Sequence, residues 1–267
     1  MQFQRIGFLG CGNMGSALAR AAAPKAGDLL LADHAQEKAR ALAAELGGAA
    51  ADNGQVARQC DLIFLGVKPQ MMAGLLSELG PVLRERSDRF VLVTMAAGLS
   101  IAAIRQMAGA DWPVIRIMPN TPASIGEGMI LYCAEGATEE EVSAFTGLMQ
   151  GAGSLDPLPE GLIDAGSAVS GCGPAFVYPF IEALADGAVA CGLPRDKAQH
   201  YAAQTLVGAA KLVLESGSHP GALKDAVCSP GGSTIQGVRA LEQSSFRSAV
   251  MEAVIAAYQK TLDLGKQ

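Results

Sequence analysis

The sequence is poor in the residues from which metal and redox centres are built. Its three histidines, at 34, 200 and 219, stand at no metal-ligand spacing from one another, which argues against metal catalysis. Its six cysteines (Cys11, Cys60, Cys133, Cys172, Cys191 and Cys228) contain no Cys-x-x-Cys pair. Neither a disulfide framework nor a zinc site follows, and free thiols are expected. Positive charge is short as well: 20 basic against 26 acidic residues leave a net charge of −6. That balance suits neither nucleic-acid binding nor a polybasic membrane anchor. The uncharged run from Ala165 to Ile181 is broken by three glycines and two prolines, whereas a spanning helix needs roughly 20 mostly apolar residues. No basic start with an apolar core precedes the strand-like Arg5-Ile6-Gly7-Phe8-Leu9, so a cytoplasmic protein without a membrane span is expected. No repeat or low-complexity segment stands out.

What is present is apolar and small. Of 267 residues, 50% are hydrophobic and 17% charged, which excludes a disordered chain and gives length for two domains. The 32 glycines follow no three-residue period; they suit an enzyme with tight turns and close backbone approaches rather than collagen.

Up to about residue 155, β-rich runs alternate with helical patterns. The predicted strands are Ile6–Leu9, Leu29–Ala32, Leu62–Leu65, Phe90–Thr94, Val114–Ile117 and Met129–Cys133. Alternation of this kind predicts an α/β fold with a doubly wound (Rossmann) parallel sheet covered on both faces. Around Gly153-Ser154-Leu155-Asp156-Pro157-Leu158-Pro159 the pattern breaks. Beyond it, Ala-rich helical stretches run through 174–191, 196–216, 234–242 and 246–264, with Pro194 placed as a first-turn proline. The chain therefore divides into a dinucleotide-binding domain over 1–159 and an all-helical domain over 160–267. Helices apolar over so much of their surface are expected to bury part of it against a second subunit, making a homodimer.

The first motif is Gly10-Cys11-Gly12-Asn13-Met14-Gly15, after Leu9 and opening a helix. Gly10 permits a tight turn, Gly12 lets backbone approach a pyrophosphate, and Gly15 allows close helix packing. Cys11 reads as a small spacer. Asp33 ends the next strand about 20 residues on, where an acid binds an adenosine ribose; the alternative is a helix N-cap. Its carboxylate favours the ribose hydroxyls of NADH and repels the 2′-phosphate of NADPH, with His34 beside it as partial compensation. Further strand ends carry Val67-Lys68-Pro69 and Ala96-Ala97-Gly98. Lys68 either faces the ligand crevice or simply starts a helix, and the small residues 96–98 allow a flat ring to lie on backbone. Arg116-Ile117-Met118-Pro119-Asn120-Thr121-Pro122 reads as a rigid turn with polar groups aimed at the crevice. In the helical half, Ser170-Gly171-Cys172-Gly173-Pro174-Ala175 and Ser229-Pro230-Gly231-Gly232-Ser233-Thr234 each precede a helix. Such segments either cap and turn the chain or offer amides and hydroxyls to a small carboxylate.

In this order, and over nearly the whole chain, these motifs closely resemble pyrroline-5-carboxylate reductase. The stretch from Leu223-Lys224-Asp225 through Thr234 to Leu241-Glu242 is similar to that family's signature. The resemblance implies reduction of 1-pyrroline-5-carboxylate to L-proline, the last step of proline biosynthesis, by hydride transfer from NADPH or NADH to C5 of the cyclic imine. It also implies a homodimer with interlocking helical domains, open to higher assembly of dimers. By position, Asn53 resembles the family's adenosine-ribose contact, and Ser229, Gly232, Ser233 and Thr234 its substrate loop. Cys172, Gly217, Ala226 and Asp33-His34 depart from the residues common there. Thr234 is the candidate partner for the ring nitrogen, or else a helix-start cap. A β-hydroxyacid dehydrogenase begins with a similar loop but uses a lysine soon after a Gly-rich segment, and here none follows Gly173 before Lys197. A nucleotide sensor has no use for two carboxylate-type loops.

Overall fold

Strand β1 (Arg5–Leu9) shows why this sequence makes a two-faced sheet: after Arg5 every residue in it is buried. Strands covered on both faces are apolar throughout rather than alternating. The computed structural model describes residues 3–264, so the last residues of the expected 160–267 domain, 265–267, lie outside the described residues. Strands β2 (Asp28–Ala32), β3 (Ala49–Ala50), β4 (Leu62–Leu65), β5 (Val91–Thr94), β6 (Val114–Met118), β7 (Gly128–Glu135) and β8 (Gly153–Pro157) complete an eight-stranded sheet of order β3-β2-β1-β4-β5-β6-β7-β8. Strands β1 to β6 are mutually parallel, and the chain order reverses between β1 and β4. That reversal opens a crevice at the strands' carboxyl ends.

Helices cover both faces: α1 (Asn13–Ala22), α2 (Gln36–Leu46), α3 (Asn53–Gln59), α4 (Pro69–Arg84), α5 (Ile101–Ala108) and α6 (Glu139–Met149). One core gathers Phe8, Phe64 and Phe145 with Leu18 and Leu42, and the other gathers Ile63, Leu65, Met72, Leu76 and Ile104. Phe8 and Phe64 stack at 4.2 Å between centroids, pinning β1 to β4 beside the crevice.

Three strands differ from the expected pattern: β3, only two residues long and not announced by the sequence, and β7 and β8. Strand β7 runs antiparallel to β6, because only a short 3₁₀ turn, Thr121–Ile125, joins them and a parallel return needs a dozen or more residues. Strand β8 occupies the segment where the sequence pattern breaks; as an edge strand it carries Ser154 and Asp156 and tolerates Pro157. It is parallel to β7, with α6 as the crossover. Helix α7 (Glu160–Ser170) follows, and the chain forms two compact units that divide after Cys172, with residues 257–264 counted in the first. Arg116 and Asn120 account for α7 staying with the sheet: their side chains bond to Asp164, Glu160 and the Ser170 carbonyl.

The second unit, 173–256, holds α8 (Gly173–Ala190), α9 (Arg195–Ser216), α10 (Pro220–Ala226), α11 (Ser233–Gln243) and most of α12 (Phe246–Leu264). Pro194 is the N-cap of α9, one position before the first turn where the sequence placed it. The core here is small, Ala185, Ala198 and Ala202 with Ile181 and Leu193 against them. Leu184, Val207, Leu212, Leu214, Val250 and Ile255 are exposed. By length and composition alone the stretch Glu160–Ala190 is apolar enough to cross a membrane.

An unburied helical face of this kind predicts that stability depends on assembly. Light scattering should give a dimer, and the melting temperature should fall as the protein is diluted through its dissociation range. A fully stable monomer is the contrary outcome.

Candidate active site

The crevice between β1 and β4 is made by two backbones in contact. Gly10 adopts φ of +111°, and a β-carbon there would stand 2.4 Å from the Gly66 carbonyl oxygen. The Gly10 amide donates to Ala32 O and the Gly66 amide to Leu9 O, so the loop continues the sheet's bonding for one more residue. Gly15 is equally confined, with its virtual β-carbon 2.1 Å from Gly10 O. Gly12 is the opposite case: a β-carbon there meets nothing within 4 Å. Gly12 is also the N-cap of α1, with no side chain capping the helix. The first amides of α1 therefore face open space, as binding of an anion requires.

Asp33 is built into this loop. One carboxylate oxygen accepts from the Cys11 amide at 2.8 Å, and the other from the Ala35 amide at 2.9 Å. His34 Nδ1 lies 3.0 Å from that second oxygen, on a side chain left mostly exposed. Asp33 is thus a latch between β2 and the glycine loop. The N-cap of α2 is Ala35, so Asp33 is not that helix's cap. Cys11 is buried, its Sγ faces Ala32 O, and burial, then the Asp33 charge, pushes its thiol up to about 11. The spacer reading of Cys11 stands.

A cavity of about 1040 Å³ opens here, large enough for a substantial small molecule. Leu9, Gly10, Gly12, Asp33, Asn53, Val67 and Lys68 line it, a set the sequence placed together. Asn53, in the first turn of α3, donates through Nδ2 to both Glu78 oxygens at 3.2 Å. Lys68 is both the N-cap of α4 and part of the cavity wall, with Pro69 as the first helical residue. Asn13 is exposed and Met14 packs on the core, and neither is among the residues lining this cavity. Ala96, Ala97 and Gly98 follow β5, outside this lining; Ala96 is buried, Ala97 exposed, and Gly98 has φ of +74°.

Sequence reasoning missed Lys38, Met71 and Glu78 on the cavity wall. Met71 carried a signal: an apolar side chain, 48% exposed, on the outer first turn of a helix. The expectation for 116–122 is corrected. Arg116 is buried and paired with Glu160 and Asp164. Asn120 accepts from the Met129 amide and donates to Ser170 O, so neither group is free for a ligand.

In the helical unit, Ser229 to Gly232 form a turn closed by the Gly232 amide on Ser229 O, with Gly231 at φ of +72°. Gly232 is the N-cap of α11 and no side chain caps it. Ser233 and Thr234 occupy the first turn, both exposed, so Thr234 is not the cap.

A family model described as pyrroline-5-carboxylate reductase dimerisation matches residues 160–264, and one described as NADP oxidoreductase, coenzyme F420-dependent, matches 5–98. The chain is 41% identical to the pyrroline-5-carboxylate reductase of Escherichia coli K12, over 98% of this chain and 99% of that one. The chain belongs to the pyrroline-5-carboxylate reductase family. A Methanosarcina acetivorans pyrroline-5-carboxylate reductase is 39% identical over the full length of both. The solved Plasmodium falciparum pyrroline carboxylate reductase with NADP bound superposes with a TM-score of 0.87 at 32% identity, covering 99% of each chain. Pyrroline-5-carboxylate reductase architecture thus extends over both units of this chain.

Two variants test the crevice. Gly12→Ala should weaken NAD(P)H binding at least tenfold in a fluorescence titration. Its melting temperature should fall by only about 2–4 °C, the effect of about 1 kcal/mol lost at an N-cap. Asp33→Ser should weaken both cofactors, because the latch is lost, and NADH more than NADPH, because a negative charge leaves. An unchanged NADPH/NADH ratio means that the charge does not reach the ribose.

Proposed function

We propose that this chain reduces 1-pyrroline-5-carboxylate to L-proline, the last step of proline biosynthesis, using NADPH or NADH. The observation that carries this reading is the open, uncapped helix start at Gly12 beside a large cavity, in a chain whose second unit repeats an uncapped, hydroxyl-bearing helix start at Gly232. The residues present fit a dinucleotide: Gly10 and Gly12 give backbone access, the α1 amides suit a pyrophosphate, and Asp33 and Asn53, which line the same cavity, are assigned to the adenosine ribose. Lys68 and Val67 form the next part of the wall, and Ala96 to Gly98 are assigned to the nicotinamide end. Bound there, the reduced nicotinamide supplies a hydride for C5 of the imine.

The protein's own work is positioning and charge. Ser229, Gly232, Ser233 and the α11 amides hold the substrate carboxylate, fixing which ring face is presented. The Thr234 hydroxyl holds the imine nitrogen and its proton, which make C5 electrophilic. Such an imine arrives partly protonated, so no histidine acid is needed, in keeping with the absence of histidine from these motifs.

We assign the functional domains as 1–159 for the cofactor and 160–267 for substrate and dimerisation. The protein works as a homodimer, open to assembly of dimers, in the cytoplasm, without membrane or nucleic acid. The α8 part, Gly173–Ala190, of the apolar Glu160–Ala190 stretch is read as dimer surface.

Adding 1-pyrroline-5-carboxylate should oxidise NAD(P)H and yield proline; a nucleotide sensor leaves the absorbance unchanged. Thr234→Val keeps the shape and removes the hydroxyl. Since Thr234 does not cap α11, stability should hold while kcat falls about 10- to 150-fold, the value of about 1.5–3 kcal/mol for a bond to a charged group. A kcat within about threefold of the parent, under ~0.7 kcal/mol, removes Thr234 from the chemistry.

A further inference from the structure

One carboxylate in the first unit joins three elements. Glu160, in the first turn of α7, accepts from the Ile101 backbone N–H at 2.7 Å through Oε1. The same oxygen lies 3.4 Å from Arg116 Nη1 on β6. Arg116 is 3% exposed, its Nη2 donates to Asp164 at 2.5 Å, and its buried Nε has no hydrogen-bond partner among the described residues. Asp164 already balances the Arg116 charge, so that ion pair alone does not account for Glu160.

What Glu160 adds is its hold on Ile101, the first residue of α5. The helix's own cap, Ser100, takes the Ala103 amide and does not serve Ile101. Glu160 supplies that missing acceptor, and its negative charge suits a helix start. The segment just upstream is Ala96-Ala97-Gly98, where Gly98 at φ of +74° forms a turn between β5 and α5. The loop's own bonds are long, Leu99 N–H to Ala96 O and Ala96 N–H to Thr94 Oγ1, both at 3.4 Å, so the short bond at Ile101 is the firmest tie on the side of α5.

We propose that Glu160 is a positioning residue for the nicotinamide end of the cofactor site: through the Ile101 amide it fixes the 96–98 loop, with Arg116 as the counter-charge that keeps the carboxylate in place. The proposal rests on the assignment of residues 96–98 to the nicotinamide.

Two near-isosteric variants separate this role from that of a structural ion pair. Glu160→Gln keeps the reach to Ile101 and loses the charge. Glu160→Asp keeps the charge, whose attraction to Arg116 falls off slowly with distance, but falls short of a hydrogen bond that decays steeply. Under the proposal Glu160→Asp lowers kcat at least tenfold and Glu160→Gln less than threefold. Calorimetric affinity for ADP-ribose, which engages only the glycine-loop end, stays within twofold of the parent in both. A Gln variant as impaired as the Asp variant, an Asp variant with parental kcat, or ADP-ribose affinity falling in step with kcat each overturns the proposal. If Glu160→Asp fails to fold, a Gln variant losing more than tenfold in kcat overturns it as well, and one losing less than threefold supports it. Ala97→Leu tests the underlying assignment separately: it should weaken NADPH and NADH binding and spare ADP-ribose. Unchanged NADPH and NADH binding in that variant overturns the nicotinamide assignment itself, whatever the Glu160 variants do.

Discussion

The contact on which the molecule depends is the approach of two glycine backbones, Gly10 to Gly66, across the point where strand order reverses. Side chains at either position would hold β1 and β4 apart at their carboxyl ends. With the strands together, the Phe8–Phe64 stack closes beneath them and α1 starts directly above the seam. The same closeness leaves Gly12 facing open space. Packing and binding are therefore one constraint: the approach that completes the core also points the uncapped amides outward.

The two units obtain stability differently. The first encloses its sheet between two apolar layers rich in leucine, isoleucine and phenylalanine. The second has alanine where a core residue is due, and its larger apolar side chains lie on the outside. Alanine lets helices pack closely but removes little area from water, and burial is worth only about 25 cal/mol per Å². Most of the second unit's stabilising surface is therefore available only to another subunit. This agrees with the dimerisation family model over 160–264.

Much of this was legible from the sequence where one residue type had one reason to be present. The strand before Gly10 and the Gly-rich helix start after it announce their places because backbone geometry permits few alternatives. Strand β8 was hidden because an edge strand needs neither apolar alternation nor freedom from proline, so Gly153 to Pro157 reads only as a break in the pattern. Arg116 and Asn120 were read outward because polar residues at the carboxyl end of a parallel strand usually face solvent or ligand. Their partners, Asp164 and Ser170, are far along the chain, and no local pattern connects them. For Asp33, position gave the crevice correctly, but the bonds to Cys11 and Ala35 emerge only in three dimensions.

Cys11 carries a chemical consequence of that packing. A thiol pushed up to about 11 by burial and by the neighbouring Asp33 stays protonated at neutral pH, and the thiolate is the form that reacts. The residue at the centre of the nucleotide loop is thereby shielded from peroxide and from alkylating reagents. The exposed Cys191 on the helical unit is open to both. Oxidative damage to this protein should begin in the helical unit rather than at the glycine loop.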